Sequence, residues 1–215
     1  MKQQHLLLIA LLFVSVNGFS QMDSATAAKE KNAQDSIKDV KDSIRWTKLE
    51  ASMVYPLLKE GTWSGVVPVE GVDWKPDPKK EYNLVFDLTH FNKDTGRNVN
   101  DGFVEIARII NLHAAAGIPK KNIHPVIVAH AKALFSLCNN TFYKEKYKKE
   151  NPNLKVVDSI KALGIDIIAC GQAMHYLDVK KEDFYPGVKV AVSAKTTLSY
   201  YVQQGYILYK IDTLE

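Results

Sequence analysis

Cys170 and its flanks carry the strongest chemical signal in the chain: Gly164-Ile-Asp-Ile-Ile-Ala-Cys170-Gly171-Gln172-Ala173-Met174. Ile165 to Ala169 is a short apolar run that reads as a buried strand. Cys170 ends it, and Gly171 lets the backbone turn sharply into a helix. A thiol at that junction lies at the carboxyl edge of a sheet, where open α/β folds bind ligands. It also faces the free N–H groups of a helix start, which favour an anion. Both influences favour the thiolate, the reactive form of the side chain. The same position suits a buried, inert cysteine equally well, because free cysteine is among the most buried residue types.

Other reactive side chains fall at the ends of neighbouring strands. Asp87, Thr89 and His90 close the first strand, His130 follows the second, and Ser193 follows the fourth. If the strands run parallel, a thiol, two imidazoles and a carboxylate gather at one edge. There His130 can take the proton from Cys170 or stabilise its thiolate. Gly171, Gln172, Asp87, Thr89, His90 and Ser193 are the candidate binding residues around it. The plainer reading of His130 is a strand-end histidine that caps backbone groups or binds water. For His90, which enters the polar loop Phe91 to Arg97, that plainer reading is preferred. Asp87 alternates with Phe86 and Leu88, so it points to solvent or bonds a loop. Cys138 is the second thiol of the chain, and it can be a disulfide partner or a resolving thiol for Cys170. Their separation in space decides between these, and the sequence does not fix it.

Several chemistries lack their residues. Two cysteines 32 positions apart match no zinc spacing, and no His-x-x-x-His pair marks a metal site. There is no Gly-x-Ser-x-Gly elbow and no Gly-rich phosphate loop after a strand. No metal or organic cofactor is expected. A net charge of +4 is too small to suggest nucleic-acid binding. The run Tyr143 to Glu150 mixes signs and reads as a solvated helix face.

The elements that must position these groups start at Tyr82. Strands are expected at 82–89, 123–129, 165–170, 188–192 and 206–211. Helices are expected at 99–116, 131–149, 153–163, 172–177 and 195–204. Val104, Ala107, Ile110 and Ala114 would form the inner side of the first helix, with Gly117 just past its end. Pro125 should lie near the start of its strand, and Ser193 should cap the last helix. Strands alternating with helices predict a mainly parallel sheet of about five strands in a three-layer α/β/α domain over 82–215.

Before that domain, Leu6 to Val16 is an apolar run of 11 residues after Lys2, and Gly18-Phe19-Ser20 supplies small residues before Gln21. This predicts a secretory signal peptide over 1–20, cleaved near Ser20, with export to the periplasm or beyond and no stable membrane insertion. Residues 21–81 read as a helical extension and a loop-rich connector. Residues 21–34 are expected to be disordered. Ile37, Val40, Ile44, Thr47, Ala51, Val54 and Leu58 would form one helical stripe. Gly61, Gly65, Pro68, Gly71, Pro76 and Pro78 mark the connector, with a possible edge strand at Val66 to Val69. The stripe needs a covering surface, which predicts a homo-oligomer.

Taken together, these segments resemble the DsrE/DsrF-like family of sulfur-relay proteins. The matching pieces are Leu84-Val-Phe-Asp-Leu-Thr89, Ala107 to Pro119, Val126-Ile-Val-Ala-His130, Asn151-Pro-Asn-Leu154, Leu163 to Gln172, Pro186 to Ala194 and Gln203-Gln-Gly-Tyr206. The resemblance implies a compact α/β/α domain that oligomerises, a trimer by analogy. It implies that a cysteine in the position of Cys170 accepts sulfane sulfur as a persulfide and passes it to a partner thiol. It thus implies a sulfur carrier or sulfurtransferase whose partners are a donor or acceptor protein or a small sulfur species. Ala131 stands where relatives often have Gly, and Lys195 where an apolar residue is usual. The alternative is a non-catalytic oligomeric binding module of the same fold, with Cys170 structural or disulfide-bonded to Cys138.

Overall fold

The computed structural model describes residues 28–29, 31–32, 34–92 and 98–212. The expected signal peptide at 1–20 lies outside them. In the N-terminal segment residues 28–29, 31–32 and 34–52 are helical, and most of the stretch expected to be disordered, 21–34, lies outside the described residues. Residues 28–52 contain no Gly or Pro, and Lys, the commonest residue there, is a strong helix former. The helix stops at Ser52 because Pro56 lies just ahead, and a proline disfavours helical geometry at itself and at the residue before it. Val54 and Leu58 therefore leave the predicted stripe.

A compact unit begins at Met53, earlier than the expected boundary at 82. Within it Val54 and Val66 form an isolated antiparallel bridge in place of the expected edge strand. Leu58 is buried in the main core of this unit. The pin is Asn111, fully buried on the helix α1 (Asp101–Ala115). Its Oδ1 accepts the backbone N–H groups of Leu57 (2.9 Å) and Leu58 (3.0 Å). Its Nδ2 donates to the carbonyls of Leu58 (2.7 Å) and Ser64 (2.8 Å). Every hydrogen-bonding position of that amide is used.

Five strands form one sheet: β1 (Tyr82–Leu88), β2 (Ile123–Ala129), β3 (Asp166–Cys170), β4 (Lys189–Ala191) and β5 (Ile207–Ile211). Their order is β4-β3-β2-β1-β5, and every pairing is parallel. Pro125 lies in a central strand but at its third residue, and pairing with β3 begins only at Val126. Beyond α1 the helices are α2 (Asn140–Tyr147), α3 (Leu154–Ala162), α4 (Gly171–Leu177) and α5 (Ala194–Gln203). The long helix expected at 131–149 is instead a 3-10 helix, Ala131–Leu137, followed by α2. Between them Cys138 bridges to Phe184, and Asn139 caps α2 by accepting from Phe142 N–H (2.9 Å).

The crossovers explain the layers. From β1 to β4 the chain steps in one direction across the sheet, and a right-handed connection then keeps the helices on one face. The step from β4 back to β5 reverses direction, so α5 falls on the other face. The buried side chains sort accordingly. Leu84, Phe86, Leu88, Ile127, Ala129, Ile167 and Ala169 join the large core with Phe103, Ile106 and Ile110 of α1. Val85, Val126, Val128, Ile168 and Cys170 join a smaller core with Ala194 of α5. In α1, Ala107 and Ile110 are buried as expected, while Val104 is only half-buried.

Asn111→Ala should cost about 2–4 kcal/mol, because it strands four backbone groups, three of them in buried hydrogen bonds. Chemical denaturation measures the loss. Limited proteolysis of the variant should cut first within 53–66, whereas uniform cutting would deny Asn111 this pinning role.

Candidate functional site

Alternation along each strand places Asp87 on the same face as Val85, and His130 on the same face as Val128. Both are therefore on the α5 side, with Cys170. The register Ala129↔Ala169 puts His130, one residue later, beside Cys170 on the neighbouring strand. His130 is extended (φ −150°, ψ −173°), and its N–H donates to the Leu88 carbonyl (3.0 Å), so it continues the ladder with β1. Its Nε2 lies 2.8 Å from Asp87 Oδ1. Both side chains are partly buried, at 30% and 18% exposure, where water screens an ion pair only in part. The structure thus brings Asp87, His130 and Cys170 to one edge on one face.

Ala131 follows His130 with φ +50°, in the left-handed region. That conformation costs a side-chain-bearing residue roughly 1–2 kcal/mol.

Cys170 is the N-cap of α4, and its Sγ accepts from the Ala173 N–H at 3.4 Å. Gly171 turns the chain from β3 into α4 without a positive φ. Glycine is required there by close approach instead. A Cβ would sit 2.8 Å from the Ala191 carbonyl oxygen and 3.3 Å from that of Val192. The Gln172 N–H donates to that Val192 carbonyl (3.2 Å), which ties the start of α4 to the end of β4. Cys170 itself is 5% exposed, so only a small reagent reaches its sulfur without local opening.

The remaining candidates are more dispersed. Ser193 caps α5, its Oγ accepting from Thr196 N–H (3.1 Å). Thr89 Oγ1 donates to the Ile211 carbonyl (3.4 Å). His90 Nδ1 lies 3.1 Å from the Asp212 carbonyl oxygen, while its Nε2 is buried without a partner among the described residues. His90 therefore serves the β1–β5 junction rather than the Asp87–His130 pair. Among the described residues no group of three or more His, Cys, Asp or Glu is placed to hold a metal ion. A cavity of about 1490 Å³ lies elsewhere, between the 59–67 segment and α1, with Trp63, Val104 and Arg108 in its walls and none of the candidate residues.

Cys138 is not bonded to Cys170. Both thiols are free, and their side chains belong to cores on opposite faces of the sheet. A disulfide is absent, and a resolving thiol would have to cross the sheet. Cys138 is fully buried, and its Sγ–H donates to the Leu134 carbonyl (3.5 Å). Burial, with Asp183 nearby, pushes this thiol far up, to where it does not ionise at neutral pH. Burial also pushes Tyr147 up to about 12, with a contribution from Cys138.

Asn100 and Ser136 carry no site signal in the sequence, and Asn151 and Asn153 stand out there only within the family-like segment. Asn100, Ser136, Asn151 and Asn153 are all buried at the same sheet edge, on the α1 face. Asn100 caps α1 by accepting from Gly102 N–H (2.9 Å), and donates to the His90 carbonyl (2.8 Å) and Ser136 Oγ (2.9 Å). Asn153 Oδ1 accepts the Asn100 N–H (2.7 Å), and Asn151 Oδ1 accepts from Asn153 (2.8–2.9 Å). Asn151 Nδ2 donates to the Ser136 and Cys138 carbonyls (3.0 and 2.6 Å). The signal was the pair Asn151-Pro-Asn153, whose caps and turns the sequence suggests but whose partners it does not.

A model of the DsrE/DsrF-like family matches residues 100–209, just over half of the chain. No curated protein matches. Among solved structures, the protein of unknown function MTH1491 from Methanobacterium thermoautotrophicum aligns with 16% identity and a TM-score of 0.46, covering 60% of this chain and 99% of that one.

Gly171→Ala should destabilise the fold by roughly 1–3 kcal/mol, because the clash is with backbone that cannot rotate away. A thermal melt unchanged from the native protein would contradict the close approach. Cys138 supplies a pH test. Its folded pKa lies above the ordinary 9.0, so the native state holds the proton that the unfolded chain releases. Stability should therefore be intact below pH 9 and fall as pH rises above it. In Cys138→Ala that alkaline loss should be smaller, read by urea midpoints from pH 7 to 10.

Proposed function

The chain belongs to the DsrE/DsrF-like family, and we propose that it is an exported carrier of sulfane sulfur working through Cys170. The observation that carries this reading is the placement of Cys170 Sγ at the strand–helix junction, where it accepts the Ala173 N–H. A donor aimed at sulfur supports negative charge there, and thiolates perform S–S exchange.

Cys170 gives its proton to His130 and attacks the outer sulfur of a persulfide R–S–SH. A Cys170 S–S bond forms, the donor S–S bond breaks, and the departing thiolate recovers the proton. The protein leaves as Cys170–S–SH and the donor as R–SH, with no net oxidation. A partner thiol removes the sulfur by the same exchange. Export rests on the apolar run Leu6 to Val16 and the small residues before Gln21. Assembly of several copies, three by family analogy, belongs to the same reading. Among the described residues no helix is long and apolar enough to cross a membrane.

A second reading is favoured by the low exposure of Cys170: a binding module of this fold whose cysteine only packs.

Intact and native mass of the protein recovered from an exporting bacterium separates these readings. With inorganic polysulfide, Cys170 should gain sulfur atoms that reductant removes, Cys170→Ser should gain none, and the mature chain should begin near Gln21. Full sulfur loading of Cys170→Ser would overturn the carrier role. An inert Cys170 in the folded protein would leave the binding module. A monomeric native mass would contradict assembly.

A further inference from the structure

The carrier reading assigns the thiol proton to His130 but leaves open what readies that ring. We infer that Asp87 is a positioning residue for sulfur exchange, acting through His130 by fixing its tautomer. This inference rests on the carrier reading.

A carboxylate offers only acceptor oxygens, so the contact between Asp87 Oδ1 and His130 Nε2 at 2.8 Å requires the proton on Nε2. In the neutral ring Nδ1 is then the nitrogen able to accept a proton. Among the described residues neither Asp87 nor His130 makes another ion pair. The backbone that carries the ring is fixed at two points. The His130 N–H is locked to Leu88 of β1, the strand that carries Asp87 (3.0 Å). On its other side the backbone at Ala131 is held at φ +50°, a conformation that persists only where the surroundings impose it.

The three groups come from three adjacent strands, with Asp87 on β1, His130 ending β2 and Cys170 ending β3. All are on the face covered by α5. Lys210 lies beside Asp87 in the β5 register, and Tyr201 of α5 packs against this face, while Lys195 and Tyr200 of α5 are exposed. In the proton step Nδ1 takes the Cys170 proton, His130 becomes a cation, and Asp87 stays ionised beside it. The cation then returns the proton to the departing donor thiolate. A carboxylate that orients a histidine and stabilises its cation, without itself being protonated, is an established arrangement in nucleophilic catalysis.

The first measurement needs no variant. The ¹⁵N spectrum of His130 in the native protein should report the tautomer with hydrogen on Nε2. The reverse tautomer would overturn the inference. The second is the rate at which inorganic polysulfide loads Cys170 at pH 7. Asp87→Asn should slow it tenfold or more and disturb the tautomer, and His130→Ala should slow it comparably. The double variant should be no slower than His130→Ala, because the two residues act as one unit. Losses that multiply, or an Asp87→Asn rate equal to native, would overturn the role of Asp87 while leaving the carrier intact. A native Cys170 that takes up no sulfur would overturn the carrier reading itself, and this inference with it.

Discussion

Right-handed crossover connections govern this molecule. Four strands laid down in one direction put their helices on one side, and the single reversal before β5 leaves one helix for the other side. The face under α5 is therefore thinly covered, with a small core of valines, Ile168, Cys170 and Ala194. The face under α1 holds most of the buried apolar surface. A polar pair such as Asp87–His130 is tolerable at the edge of the thin layer. In the thick one it would have to be desolvated fully.

The carboxyl edge is held by different means on the two faces. On the α1 side the loops are tied by buried amides. Asn100, Asn151 and Asn153 bond one another and the carbonyls of His90, Ser136 and Cys138. Such a network rigidifies when every group is satisfied and is costly when one partner is lost. On the α5 side the tie is steric. Gly171 lies so near the end of β4 that a methyl group would meet its carbonyls. One edge thus combines a saturated polar clamp with a close backbone contact, and Cys170 is seated beside the latter.

The two thiols show how location separates identical side chains. Cys138, buried in the large core, is driven by desolvation to stay protonated. Cys170 ends its strand at a helix start, where an amide N–H is directed at sulfur. Both thiols are buried, yet only the sulfur of Cys170 accepts a backbone N–H at the start of a helix.

The sequence by itself determined the alternation of strands and helices, the parallel sheet and the placing of Cys170 at a strand–helix junction. These follow from apolar periodicity and local turn chemistry, which act within a few residues. It also gathered Asp87, His130 and Cys170 at one edge, because parallel strands end together. Only the tertiary structure decided the pairings. Whether Asp87 meets solvent or His130 depends on register between strands 43 residues apart in the chain. Whether Cys138 meets Cys170 depends on which face each side chain takes, and the sheet separates them. The need for glycine at 171 came from β4, a strand formed later in the chain, and not from the turn itself. Local preferences specify elements, whereas contacts between distant residues are fixed only when the layers pack.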